Sequence, residues 1–299
     1  MEIAKLRPLF KYTGGKRKLL KQYAPYMPER ITTYVEPFLG GGSMFIHVMQ
    51  NYQPEQIVLG DANDQVMNIY HTVKFHMEQM IEILSKIEQE YVPLEYNGRK
   101  EYYRAIRKRQ AFDETMSDIE RASIQYFLMR TCFNGQYVVT SNGRFFTSPG
   151  ELNVKNPIQY DHIRAWNFIL KDAILCVGDW KATVATADIG PDSFVFLDPP
   201  YRESNLLGNQ YMSDFFHPEQ QDKMTDEIIE YVKNFRSDAT VFLCNMEKHE
   251  TGYFDNLGHG LETIKIPRKV TSFRDRDHHI NEILIHNGEK EITLENFFD

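Results

Sequence analysis

Asp198-Pro199-Pro200-Tyr201 closes the apolar run Ser193-Phe194-Val195-Phe196-Leu197. These four residue types suit one kind of chemistry: making a nucleophile of an aromatic exocyclic amine, such as N6 of adenine. The lone pair of such a nitrogen is delocalised into its ring. Acceptors placed on its N–H groups favour the tetrahedral nitrogen formed during attack. Asp198 supplies one acceptor and the carbonyl of Pro199 the other. Proline at 200 restricts residue 199, itself a proline of fixed φ, so that carbonyl is held in one direction. Tyr201 offers a face on which a base can stack. The bland alternative is a turn that only ends a strand.

A second segment, Tyr34-Val35-Glu36-Pro37-Phe38-Leu39-Gly40-Gly41-Gly42-Ser43, reads as strand, glycine turn and helix start. Glycines let the backbone turn tightly and let a ligand approach it. A strand, glycine loop and helix N-terminus is a common cradle for an adenine-ribose cofactor. The segment matches neither G-x-G-x-x-G nor the G-x-x-x-x-G-K-[ST] phosphate loop. Gly14-Gly15-Lys16 also misses the latter, having Arg17 where Ser or Thr belongs. About 20 residues further on, Asp61 ends another apolar run, where an acid can bond both hydroxyls of a ribose. Asp61 could equally cap a helix, but the two features together favour a nucleoside-containing cofactor.

Such residues need a sheet whose strand ends converge. Short apolar runs occur at Tyr34-Val35, Ile57-Val58-Leu59, Ile174-Leu175-Cys176-Val177, Phe194-Val195-Phe196-Leu197, Val241-Phe242-Leu243-Cys244 and Ile283-Leu284-Ile285. They read as buried strands of a sheet covered on both faces. Several end in Glu36, Asp61, Asp179, Asp198 or Asn245, at the carboxyl ends where open α/β sheets bind ligands. Between them, residues 63–90 repeat apolar side chains at helical spacing, from Val66, Ile69 and Tyr70 to Leu84 and Ile87. Residues 99–109 and 118–132 continue in helical style, and Ser141-Asn142-Gly143 marks a hairpin. The expectation is an α/β, Rossmann-like core over 1–65 and 165–299. A mainly helical insertion with a β-hairpin, 66–164, interrupts it.

The net charge of -8, from 34 Lys+Arg and 42 Asp+Glu, argues on its face against a nucleic-acid partner. The basic residues are nevertheless clustered. One group is Lys5, Arg7, Lys11, Lys16, Arg17, Lys18 and Lys21; another is Arg99, Lys100, Arg104, Arg107, Lys108 and Arg109; a third is Lys265, Arg268, Lys269, Arg274 and Arg276. Acidic residues gather instead at 78–90, 222–230 and 289–299. The three cysteines, Cys132, Cys176 and Cys244, are far apart and sit in apolar runs, which suggests neither a disulfide framework nor a zinc site. The opening residues hold no apolar signal core, and no run approaches the ~20 residues of a membrane span. A soluble, cytoplasmic protein is expected.

The motifs, taken in order, resemble those of the Dam-type (D12 class, alpha group) DNA adenine-N6 methyltransferases. Phe10 to Arg17 resembles the family's K-W-A-G-G-K opening, and Val35 to Ser43 its V-E-P-F-x-G-x-G-S loop. Asp61-Ala62-Asn63 resembles its D-x-N, and Phe133-Asn134-Gly135 its F-N-G. Asp198 to Tyr201 is its D-P-P-Y, and Asn281 to Asn287 resembles its closing strand. The resemblance covers nearly the whole chain. It implies S-adenosylmethionine as cofactor, double-stranded DNA as partner, base flipping, and methyl transfer with no metal. Asp198, Pro199, Pro200 and Tyr201 would be catalytic. Tyr12, Gly15, Lys16, Glu36, Phe38, Gly40, Asp61, Asp179 and Trp180 would bind the cofactor. Of these, Tyr12 and Lys16 would lie near its methionine part, Asp61 at its ribose and Asp179 at its adenine. Lys11, Arg99, Lys100, Arg104, Arg107, Phe133 and Asn134 would meet DNA, with Phe133 filling the gap a flipped base leaves. The resemblance leaves room for a cognate restriction endonuclease.

Two departures stand out. Val138 replaces the family's usual arginine, and Tyr12 its usual tryptophan. They spare the cofactor chemistry but put the common G-A-T-C target in doubt. The rival readings are methylation of RNA adenine or another planar amine, and a non-catalytic DNA-binding protein on the same scaffold.

Overall fold

A computed structural model of the chain describes residues 6–12, 14–140, 143–150, 156–200, 218–246, 254, 257–258, 260–270 and 278–287. Its centre is a seven-stranded sheet in the order β3-β2-β1-β4-β5-β7-β6. The strands are β1 (Thr33–Glu36), β2 (Gln56–Asp61), β3 (Ile174–Val177), β4 (Ser193–Leu197), β5 (Thr240–Met246), β6 (Glu262–Val270) and β7 (His278–His286). The first five are mutually parallel, while β7 runs antiparallel between β5 and β6. From β1 the chain steps outward through β2 to β3, then crosses to the other side of β1 and continues through β4 to β5. The strand order therefore reverses between β1 and β4, a switch point at which the carboxyl ends open a crevice.

Side-chain alternation explains why the sheet is covered twice. Tyr34, Leu59, Phe194, Phe196, Phe242 and Leu284 point into one apolar cluster. Their neighbours Val35, Val58, Val195, Leu197, Val241, Leu243 and Ile285 point into another. Large, mostly aromatic side chains meet the first helical layer, and branched aliphatic ones meet α8 (Trp180–Thr186) and α9 (Pro218–Lys233). All six runs expected as strands lie within strands. The seventh, β6, went unforeseen. It carries charges and Pro267 at a sheet edge, where a missing N–H is tolerated, and its alternation is weak.

The first layer contains α1 (Leu20–Tyr23), α2 (Ser43–Asn51), α3 (Asp64–Phe75), α4 (Met77–Tyr91), α5 (Tyr96–Phe112), α6 (Asp118–Thr131) and α7 (Tyr160–Leu170). Asn63 caps α3 by accepting from the amide of Val66 at 3.2 Å, and Ser117 caps α6 by accepting from Glu120 at 3.3 Å. The single periodic run read over 63–90 is two helices, because His76 leaves helical geometry at φ -134°. One apolar cluster runs from the sheet through α3 and α7 to Tyr91, Tyr103, Phe127 and Phe145. The hairpin reduces to a bridge between Val139 and Phe145, with Phe146 N–H donating to Val138 and Thr140 N–H to Arg144. Ser141 and Asn142 lie outside the described residues. Among the described residues no helix is long and apolar enough to cross a membrane, and no cluster of His, Cys, Asp or Glu is arranged to hold a metal ion.

Candidate active site

Glu36 ends β1 and is 3% exposed. Its Oε2 accepts from the Tyr34 hydroxyl at 2.8 Å and from the Phe45 amide, in the first turn of α2, at 3.0 Å. One carboxylate thus ties a strand end to the helix that follows. Between them the loop turns through left-handed Gly40 (φ 45°) and Gly42 (φ 66°), and Leu39 N–H donates to Gly60 on β2. Burial pushes the Glu36 carboxyl well above its ordinary pKa, and the carboxylates of Asp198 and Asp61 push the same way. The Tyr34 and Phe45 hydrogen bonds oppose them only in part.

Asp61, at the end of β2, receives the Gly40 amide on Oδ2 at 2.8 Å and the Asn63 amide on Oδ1 at 2.9 Å. Burial raises its pKa, and the backbone amides of Asn63, Gly40 and Ala62 pull it back. A single carboxylate therefore fixes the glycine loop and the turn into α3 together. Tyr12 packs against that loop: a Cβ on Gly40 would come to 3.0 Å from its ring. The hydroxyl of Tyr12 is held protonated, first by burial and then by Asp61 and Tyr137. Gly15 faces Ser43 at the start of α2.

Asp198 follows β4, across the switch point from Glu36, and is 19% exposed. Lys16 reaches it: Nζ lies 2.7 Å from Asp198 Oδ1 and donates to the Gly14 carbonyl at 3.0 Å. Nζ also lies 3.5 Å from Glu282 on β7, and Tyr23 on α1 donates to that same Glu282 at 2.8 Å. Burial alone would lower the pKa of this ammonium, but Asp198 and Glu282 outweigh it and the group is held above 10.5. Pro199 is buried and Pro200 half-buried; Tyr201 lies outside the described residues.

The remaining expected cofactor residues divide. Asp179 is exposed beside the end of β2, since Gly178 N–H donates to the Asp61 carbonyl. Its side chain caps α8 through the Lys181 amide at 2.7 Å. Trp180 is buried in the second apolar cluster, edge-on to Tyr231 at 5.6 Å, and Phe38 packs half-buried against that cluster.

Lys11, Phe133 and Asn134 come together. The stem of Lys11 covers Gly135 so closely that a Cβ there would sit 2.1 Å away. Asn134 is exposed in a left-handed conformation (φ 52°), and Phe133 is half-buried. The basic helix α5 is less uniform than its sequence. Arg99 spends its guanidinium on the carbonyls of Leu94 and Val92, closing the end of α4. Arg107 donates to the carbonyls of Phe146 and Thr147 and so holds the hairpin. Arg104 is outward with Glu101 at 2.6 Å, and Lys100 is half-exposed.

Sequence reasoning missed Glu282, Tyr23, Tyr137 and Gln65. Tyr137 donates to Gln65 at 3.1 Å and to Asn63 at 3.3 Å, while Gln65 donates to the Gly143 carbonyl at 2.8 Å. The hairpin is thereby fastened to the turn that carries Asp61. A glutamate inside an apolar strand was the available signal for Glu282. For the other three no local signal exists.

Comparison with known proteins places these features in one group. The chain matches the family model described as D12 class N6 adenine-specific DNA methyltransferase over residues 12–272. It is 29% identical over 278 residues to the Type II methyltransferase M.MjaIII of Methanocaldococcus jannaschii, covering 88% of this chain and 92% of that protein. With the Type II methyltransferase M1.LlaDCHI of Lactococcus lactis subsp. cremoris it shares 34% over 200 residues, 66% of each. With the DNA adenine methylase of Haemophilus influenzae it shares 25% over 286 residues, 94% of this chain and 93% of that protein.

Proposed function

The chain belongs to the D12 class N6 adenine-specific DNA methyltransferase family, and from that premise we propose that it moves a methyl group from S-adenosylmethionine to N6 of an adenine swung out of duplex DNA. The observation that carries this reading is the switch point itself. Glu36, Asp61 and the glycine loop lie on one side of it and Asp198 on the other, at the carboxyl ends of β1, β2 and β4, and Asp61 and Asp198 both act on Glu36.

The residues fit the cofactor. Asp61 and Asp198 both act on the Glu36 carboxyl, and burial pushes Glu36 and Asp61 toward their neutral forms. A cationic ligand suits such a cluster. Glycine at 40 lets the backbone lie against Tyr12 without a side chain between them. Asp61, Asp179 and Tyr12 would hold the nucleoside and its tail, with Glu36 and Gly40 shaping the loop. When bound, the cofactor supplies an electrophilic methyl on sulfur. Asp198 accepts a hydrogen bond from the target amine and the Pro199 carbonyl accepts another, which turns the nitrogen lone pair outward. After attack the nitrogen holds one proton too many, and Asp198 receives it or passes it to water.

Residues 66–164 form the DNA-reading part of this proposal. Lys11, Phe133 and Asn134 stand beside Tyr12, where a wedge would support a flipped base. Arg104 and Lys100 face outward for phosphate. The names of two relatives as Type II methyltransferases support a role beside a restriction endonuclease.

Expression in a host without adenine methylation, followed by genome-wide mapping of N6-methyladenine, tests this reading. Marks at one short sequence are expected, and none should appear with Asp198→Ala although that variant still binds cofactor and DNA. Equal marking by Asp198→Ala would overturn the role given to Asp198.

A further inference from the structure

Glu282 has no part in the chemistry described so far, yet it sits 1% exposed within the apolar strand Asn281-Glu282-Ile283-Leu284-Ile285. A carboxylate so removed from water is costly unless partners hold it. Its Oε1 has two: the Tyr23 hydroxyl at 2.8 Å and the Lys16 ammonium at 3.5 Å. Lys16 in turn lies 2.7 Å from Asp198. Tyr23, Glu282, Lys16 and Asp198 are therefore successive contacts, ending on the carboxylate read as acceptor of the target amine.

We propose that Glu282 is a positioning residue for methyl transfer: together with Tyr23 it anchors the Lys16 ammonium against Asp198, so that the Asp198 carboxylate is fixed in direction and balanced in charge when the amine arrives. The inference rests on the reading of Asp198 given above. A lysine head sits on a flexible four-carbon stem. Asp198 and the Gly14 carbonyl both hold it, and Glu282, itself held by a phenol, adds a second carboxylate.

Charge makes the same point. The groups facing the ammonium are Asp198 after β4, Glu282 on β7 and Cys244 on β5. Tyr23 on α1 reaches it through Glu282, and Asp198 in turn acts on Glu36 on β1. Burial pushes the Cys244 thiol and the Tyr23 phenol upward, so both stay protonated and neutral. Two carboxylates, not one, then keep Lys16 charged in a place that would otherwise strip its proton. Removing Glu282 has two separate consequences. Lys16 loses its rear contact, and it gives up its proton at lower pH.

The test is the single-turnover methylation rate against pH, on one oligonucleotide duplex, for the full chain and its variants. Glu282→Gln keeps shape and an acceptor for Tyr23 but removes the charge. Its rate near neutrality should fall about tenfold, with cofactor and DNA affinities unchanged. Its alkaline limb should begin about one pH unit lower than that of the unsubstituted protein. Glu282→Asp, which restores the charge, should return the limb to its original place while remaining about threefold slow, because the shorter side chain draws back. An unchanged rate in Glu282→Gln, or a slow rate with an unmoved limb, overturns the proposal. If melting shows that Glu282→Gln does not fold, Glu282→Asp decides: a loss of rate with intact cofactor binding supports the anchor, and a full rate overturns it. Asp198→Ala is run alongside. If it still methylates, the reading of Asp198 fails whatever Glu282 does; if it is inactive and the Glu282 variants behave normally, only the present inference fails.

Discussion

Asp61 joins two functions in one side chain, and its substitution separates them. In Asp61→Asn an amide NH₂ must face one of two backbone N–H groups, Gly40 or Asn63, that now point at carboxylate oxygens. Hydrogen bonds to charged groups contribute about 1.5–3 kcal/mol. Cofactor affinity measured by calorimetry should therefore fall by roughly 10- to 100-fold, with the fold retained. Glu36 gives a pH dependence. Its carboxyl pKa in the folded chain is raised above the ordinary 4.5, so between those two values the folded state holds more protons than the unfolded one. Stability then falls as pH rises from about 4.5 toward the folded value. Chemical unfolding of the cofactor-free protein should show this decline, and Glu36→Gln should flatten it. At this scale the sequence was informative where residue type and strand end coincide, as at Glu36, Asp61 and Asp198. It offered Lys16 only through the family resemblance and said nothing of its two carboxylate partners, because they arrive from the end of β4 and from β7.

At the level of elements, α2 depends on the glycine that precedes it. Gly42 adopts φ 66°, and a Cβ there would approach the Trp166 ring to 2.7 Å. Trp166 is fully buried and tied to the Arg7 carbonyl at 2.9 Å, so it has little room to yield. Gly42→Ala should cost about 1–3 kcal/mol in denaturant unfolding, and it should also weaken cofactor binding, since the same turn carries Gly40. The hairpin and the turn that carries Asp61 are likewise one mechanical piece, through Tyr137, Asn63 and Gln65. The strands were legible because each is a short apolar run bounded by turn residues. The break at His76 was not, because apolar spacing continues across it, and β6 was not, because an edge strand needs no continuous apolar run. The sheet order, which makes Glu36 and Asp198 neighbours, is set by crossovers that carry no local pattern.

For the molecule as a whole, the net charge of -8 describes a sum and not a surface. Arg104 is outward and Lys100 half-exposed, whereas Arg99 is consumed by the carbonyls of Val92 and Leu94. Replacing Arg104 by Ala should weaken DNA binding and reduce the slope of log K against log salt by about 0.9, the change for one lost phosphate contact. Arg99→Ala should lower the melting temperature and leave that slope alone. Fluorescence anisotropy at several salt concentrations separates the two. The antiparallel placement of β7 has a further consequence, for biosynthesis. Tyr23 and Glu282 are 259 positions apart, and Lys16 belongs to the same early stretch as Tyr23. A chain emerging from the ribosome displays its glycine loop and Asp198 long before β7 can pair with β5 and carry β6 onto the sheet. Until then Glu282 is not beside Lys16, and β5 has an unpaired edge.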